Sequence, residues 1–178
     1  TLAPADLPVT RTYTVRAVDG DELAIDFVVH GDEGLAGPWA AGARPGERLV
    51  VSSPGGGYAP DPSASWHLFA GDESALPAIA AGLEALAPDA RGTAFIEVAG
   101  ADDELPLRAP AGVEVVWLHR GAASAGTTAL LTDAVAAWTG PHGRGQGVGH
   151  GGGGAGTGLR ALSFPGGGPG GASGGLLY

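Results

Sequence analysis

The sequence has no cysteine, methionine, lysine or asparagine. Without cysteine there is no disulfide framework, no thiolate-held zinc or iron–sulfur cluster and no thiol nucleophile. Positive charge is scarce: nine basic residues, all Arg, stand against nineteen acidic ones, for a formal net charge of −10. That balance repels phosphate backbones and anionic lipid, which argues against nucleic acid as a partner. No apolar run approaches the roughly 18 residues of a membrane span, and the Thr1-Leu2-Ala3-Pro4 start lacks the basic and apolar regions of a signal peptide. The expectation is therefore a cytoplasmic protein without membrane insertion. A first residue other than Met, with Arg as the sole basic side chain, reads as a fragment encoded by GC-rich DNA.

What is abundant is glycine, and it is unevenly placed. Of the 34 glycines, 17 fall in residues 141–178, a stretch that contains no Asp or Glu, so the first 140 residues carry −12. Such a segment offers little surface to bury against its ordering entropy and is expected to be disordered and dispensable. Gly149 to Gly154 matches G-x-G-x-x-G, but chance matches are expected where glycine fills nearly half the positions. The composition also fits out-of-frame translation of GC-rich DNA, so a frameshift near residue 142 is a second account of this tail.

The first 140 residues, at ordinary composition, form two regimes separated by the breakers Pro54-Gly55-Gly56-Gly57 and Pro60-Asp61-Pro62. Before them, Arg11 to Val18 and the alternating Glu22 to His30 read as strands joined by an Asp19-Gly20 hairpin. Gly31 to Gly46 reads as a loop and Arg48 to Ser53 as a third strand. After them come a strand at Trp66 to Ala70 and a helix over Ser74 to Leu86, with Ser74 as N-cap and Pro77 in the first turn. Strands at Thr93 to Ala99 and Val113 to Leu118 follow, then a helical stripe of Leu131, Ala134, Val135 and Trp138. This order predicts a parallel sheet with crossover helices, whose ligand edge lies beyond the carboxyl ends of the strands, at Gly71-Asp72-Glu73 and His119-Arg120. The expected division is 1–62, 63–140 and the tail 141–178.

Several segments then become recognisable. Arg11-Thr12-Tyr13-Thr14, Asp26 to Gly31, Gly34 to Trp39, and Ala70-Gly71-Asp72-Glu73-Ser74 to Pro77, in that order and spacing, resemble the siderophore-interacting proteins, flavin-dependent ferric-siderophore reductases related to ferredoxin reductases. The resemblance runs from about Asp6 to Trp138. It implies a partial FAD-binding β-barrel, beginning almost at the Arg-x-Tyr-Thr motif, followed by an incomplete parallel α/β nucleotide-binding domain. It implies FAD contacts at Arg11, Tyr13, Thr14, His30, Gly31, Ala36 and Trp39, and NAD(P)H contacts at Gly71, Asp72, Glu73 and Ser74. Leu35 and Gly37 replace the family's Pro and Ser. The Trp-x-Ala-Gly-Glu strand of the family is not found after Trp138.

Simple chemistry gives these residues independent roles. Arg11 offers a fork of donors to a pyrophosphate, Tyr13 a ring for stacking, Thr14 a hydroxyl for a polar edge, and glycines a backbone that an anion can approach. His119 and Arg120 are candidates for a phosphate or an anionic ferric siderophore. Each has a plainer reading: Trp39 plugging a barrel end, His30 as a satisfied strand-end residue, Asp72 and Glu73 complementing a helix dipole, and His119 and Arg120 as solvated charges. The resemblance implies that FAD and NAD(P)H carry the chemistry, with no catalytic side chain and no resident metal. Its rivals are a non-catalytic flavin- or nucleotide-binding fragment and a silent truncated product.

Overall fold

A computed structural model of the chain describes residues 10–29, 34–52, 58–141, 144–149 and 160–164. The chain divides into two compact units, Thr1–Val50 and Val51–Tyr178, so Tyr58 and Asp61 belong to the second.

In the first unit, β1 (Ala17–Asp19) and β2 (Glu22–Ala24) form an antiparallel hairpin in the register Ala17 to Ala24, Val18 to Leu23 and Asp19 to Glu22. Gly20 turns the corner at φ 56°, a conformation that glycine adopts without a Cβ penalty. The expected strands Arg11 to Val18 and Glu22 to His30 are thus far shorter as paired structure, and the expected strand at Arg48 to Ser53 is absent over residues 48–52. Alternation marks a chain that fits a half-buried sheet, but a strand also needs a partner for its backbone groups. A second correction concerns the expected loop from Gly31 to Gly46, which contains the helix α1 (Ala36–Gly42). Pro38 sits in its first turn, where a missing N–H costs nothing, and three alanines outweigh the glycines.

The second unit is a five-stranded sheet in the order β5-β4-β3-β6-β7. Its strands are β3 (Trp66–Asp72), β4 (Arg91–Val98), β5 (Gly112–His119), β6 (Gly145–Gly149) and β7 (Arg160–Phe164). The first four run parallel and β7 is antiparallel to β6. Helices α2 (Leu76–Glu84) and α3 (Leu130–Ala137) cover opposite faces. Period-two alternation sorts β3 between them. Phe69 joins Ile79, Leu83 and Ile96 in the α2 core, while Trp66 and Leu68 join Phe95 and Val135 under α3. Each such fully buried side chain contributes about 1.5–3 kcal/mol relative to exposure. The expected parallel sheet and the apolar stripes of both helices are present, but the N-cap of α2 is Ala75, with no side-chain cap. Ser74 turns back instead, its N–H and Oγ–H both donating to Asp72 Oδ1 at 2.9 and 2.5 Å.

Within the glycine-rich tail two short stretches depart from expectation. Residues 145–149 pair with β3 and residues 160–164 pair with β6, so disorder does not describe these two stretches; the rest of 141–178, Pro141 and Arg144 excepted, lies outside the described residues. Glycine suits this strand for a packing reason: a Cβ on Gly145 would lie 2.0 Å from the Trp66 ring. Gln146 then fastens the start of the unit. Its Oε1 accepts from Tyr58 OH at 2.9 Å and from the Asp61 N–H at 2.7 Å, and its Nε2 donates to Ala59 O at 3.2 Å. Burial pushes the Tyr58 hydroxyl up to about 12 and holds the neighbouring His67 below its ordinary 6.5.

Two outcomes follow from this arrangement. A chain ended at Gly140 loses the neighbour of β3, and its melting temperature should fall by at least about 5 °C; an unchanged melting temperature would show that β6 contributes nothing. His67 stays neutral in the folded chain while its unfolded counterpart gains a proton. Its contribution is therefore full above pH 6.5 and is lost as pH falls from 6.5 toward its lower folded value. Thermal unfolding at pH 8.0, 6.5 and 5.5 should show this decline, and His67→Gln should flatten it.

Candidate functional site

In the first unit, Arg11, Tyr13, Val28, Gly34, Leu35, Ala36 and Gly37 line an open cavity of about 360 Å³. The start of α1 and the extended segment around Arg11 and Tyr13 therefore meet at one place. Gly34 stands at φ 80°, open to solvent, and a Cβ on Gly37 would touch the Val28 carbonyl oxygen at 3.4 Å. Gly34 leaves its backbone open to a ligand, whereas Gly37 lets α1 pack closely on the backbone of Val28. Arg11 is exposed, and its Nη1 donates to Thr10 O at 2.8 Å. The cavity is at the lower end of ligand-pocket volumes, room for part of a dinucleotide.

Phe27 links the two aromatics expected in the site. Its ring centroid lies 4.5 Å from that of Tyr13 and 5.8 Å from that of Trp39. Tyr13 reaches the cavity; Trp39, braced on Phe27, and Thr14 are not among the described residues lining it. In the sequence Phe27 is one alternating apolar residue within the Asp26 to Gly31 segment, and nothing local marks it as the centre of a ring cluster. His30 and Gly31 lie outside the described residues.

In the second unit the carboxyl ends of the strands carry a charged cluster. Gly71 and Asp72 are the last residues of β3, paired with Ile96 and Glu97, and Gly71 does not have a positive φ. The turn out of β3 is made by Asp72 and Ser74, beyond Gly71. Arg120 Nη1 donates to Glu73 Oε2 at 2.7 Å and Nη2 donates to Glu73 Oε1, a two-pronged pair with the Arg120 side chain only 8% exposed. This pairing raises the guanidinium's already high pKa, with Glu97 and Asp72 adding to the effect. Arg120 is thus committed to Glu73, because a guanidinium fork matches a carboxylate edge to edge. His119 Nε2 pairs with Glu104 Oε1 at 2.8 Å on the exposed side. Glu97 is 2% exposed, and its Oε2 accepts from Thr128 Oγ1 at 2.7 Å. Neither Thr128 nor Glu104 had a signal in the sequence, since each acts across 15 or more residues of chain.

Comparison with known proteins decides the family. A family profile described as siderophore-interacting protein matches residues 64–162, and one described as siderophore-interacting FAD-binding domain matches residues 1–58. The chain belongs to the siderophore-interacting protein family. The profile continues past Trp138 into β6 and β7, beyond the segments that carry the resemblance by eye. Ferric vibriobactin reductase ViuB of Vibrio cholerae is 43% identical over 122 residues, 66% of this chain and 44% of ViuB. An NADPH-dependent ferric-chelate reductase of Escherichia coli is 42% identical over 80 residues, 44% of this chain and 31% of that protein. Among solved structures, a siderophore utilization protein from T. fusca aligns with a TM-score of 0.72 at 48% identity, covering 78% of this chain and 53% of that one. The chain thus spans about half the length or less of these relatives.

Tyr13 is the aromatic that reaches the cavity, and its ring and buried area predict the effect of removing it. Tyr13→Ala should weaken FAD binding by about 1–3 kcal/mol, read by flavin fluorescence titration. Unchanged affinity would place the flavin elsewhere.

Proposed function

We propose that this chain is part of a flavin-dependent reductase that takes electrons from NAD(P)H through FAD and delivers them to the iron of a ferric siderophore. The observation that carries this reading is the coincidence of the FAD-binding-domain match over residues 1–58 with a cavity lined by Arg11, Tyr13 and Gly34 to Gly37. These residues suit FAD: a guanidinium for the pyrophosphate, a ring for the isoalloxazine and side-chain-free backbone for close approach. FAD, when bound, supplies the conversion of a two-electron hydride into single electrons. Arg11 neutralises phosphate charge, Tyr13 is held in place by Phe27, and Thr14 offers its hydroxyl to the polar edge of the flavin. His30, Gly31, Ala36 and Trp39 complete the proposed contacts.

The second unit supports a dinucleotide site by topology. From β3 the chain proceeds to β4 and β5 on one side and returns to β6 on the other, so the strand order reverses at β3, where open α/β sheets take ligands. Gly71, Asp72, Glu73 and Ser74 lie there and are the proposed NAD(P)H contacts; the name of the E. coli relative supports NADPH as donor. Of the two residues expected to meet the siderophore, exposed His119 keeps that role. Arg120 is better suited to bracing the Asp72 to Ser74 turn through Glu73. Reduction releases iron because the ferrous ion is softer and held less tightly by hard oxygen ligands.

A second reading, a flavin- or nucleotide-binding portion without turnover, is favoured by the span of 44% of ViuB. One experiment separates the two. Purified chain loaded with FAD should show a flavin absorption band that NADPH bleaches without air and that a ferric chelate restores. A band that NADPH leaves unchanged favours the binding portion, and absence of any band overturns the flavin reading.

A further inference from the structure

We propose that Glu97, with Asp72 beside it, seats the carboxamide of the nicotinamide ring and makes this edge of the sheet prefer the oxidised, cationic ring to the reduced, neutral one. The inference rests on the NAD(P)H reading above and names what the site recognises. Asp72 and Glu97 are register partners in the parallel pair β3 and β4, so their side chains leave the same face, with the strands about 4.8 Å apart. Both are buried, at 5% and 2% exposure. The bonds to Asp72 Oδ1 come from the N–H and hydroxyl of Ser74. Glu97 Oε2 is taken by Thr128, while Glu97 Oε1 is buried with no donor among the described residues.

Arg120 lies near enough to feel both carboxylates, but the hydrogen bonds of its two terminal nitrogens go to Glu73. Three carboxyl groups therefore act on one guanidinium, a formal excess of acids over bases in the cluster. A buried carboxylate oxygen without a donor is costly, so a bound group that suits this place brings an N–H and positive charge. Phosphate and carboxylate ligands have the wrong sign. A nicotinamide supplies an N–H from its carboxamide in either redox state and a positive ring only after giving up hydride. The carboxylates would thus stabilise the charge that develops as hydride leaves.

The test uses the whole chain and isothermal titration with NADP+ and NADPH. Wild type should bind NADP+ more tightly than NADPH. Glu97→Gln keeps the shape and removes the charge; it should lower NADP+ affinity about tenfold and NADPH affinity by less than about twofold, with no loss of melting temperature. Equal losses for both, or no change in either, would overturn the proposal. A probe free of any substitution is the pair 1-methylnicotinamide, a cation, and neutral nicotinamide, titrated into wild type by NMR. The cation should bind more tightly, and equal or reversed affinity would overturn the proposal. If wild type binds neither dinucleotide, the NAD(P)H reading falls with it, while the flavin band of the same sample reports independently on the first unit.

Discussion

Everything in the second unit depends on β3 being hydrogen-bonded on both sides and covered on both faces. A strand in that position cannot present a polar stripe to water, so Trp66 to Phe69 are buried without interruption. Its direction also decides where chemistry can occur. Parallel neighbours bring the carboxyl ends of β3, β4 and β5 to one edge, where Asp72 and His119 end their strands and Glu97 is the last residue but one of β4. The opposite edge holds the Tyr58, Gln146 and His67 network, whose hydrogen bonds tie residues 58–61 to β6.

The charged edge is organised by competition among its own members. Glu73 and Arg120 stand 47 residues apart in the chain and pair through both terminal nitrogens of the guanidinium, which draws Arg120 away from solvent beside the proposed nucleotide turn. A net charge of −10 sets many carboxylates around few cations, and Arg16, Arg120 and Arg144 each pair with an acid. The exposed ion pairs in this set contribute little to stability, because solvent and salt screen them. The pairing of Arg120 matters more for shape, because it holds the chain between β3 and α2 against the end of β5.

In the first unit the arrangement is of a different kind. Its aromatic residues meet in a chain, Tyr13 on Phe27 and Phe27 on Trp39, and the rings remain substantially exposed at 40% for Tyr13 and 38% for Trp39. Leu23, Leu49 and Val50 are also exposed. A short hairpin buries little, so the rigidity of this unit rests on ring contacts and on the helix α1 rather than on a deep core.

The sequence by itself determined the elements whose pattern is local: the apolar runs of β3 to β5, the stripes of α2 and α3, the hairpin at Gly20, and the motif order that marks the family. Each can be read within a dozen residues, because burial of one face imposes a period of 2 or 3.6. Tertiary structure alone decided the rest. Whether Arg11 to Val18 is a strand depends on a partner for its backbone, and whether Ala36 to Gly42 is a helix or a loop depends on Pro38 falling in a first turn. Glycine-rich residues 145–149 form a strand because β3 offers a free edge and the Trp66 ring leaves no room for a Cβ. The roles of Arg120 and Glu97 were equally hidden, since the sign and reach of a charged side chain are local, while the group that satisfies it, or fails to, is chosen by the fold.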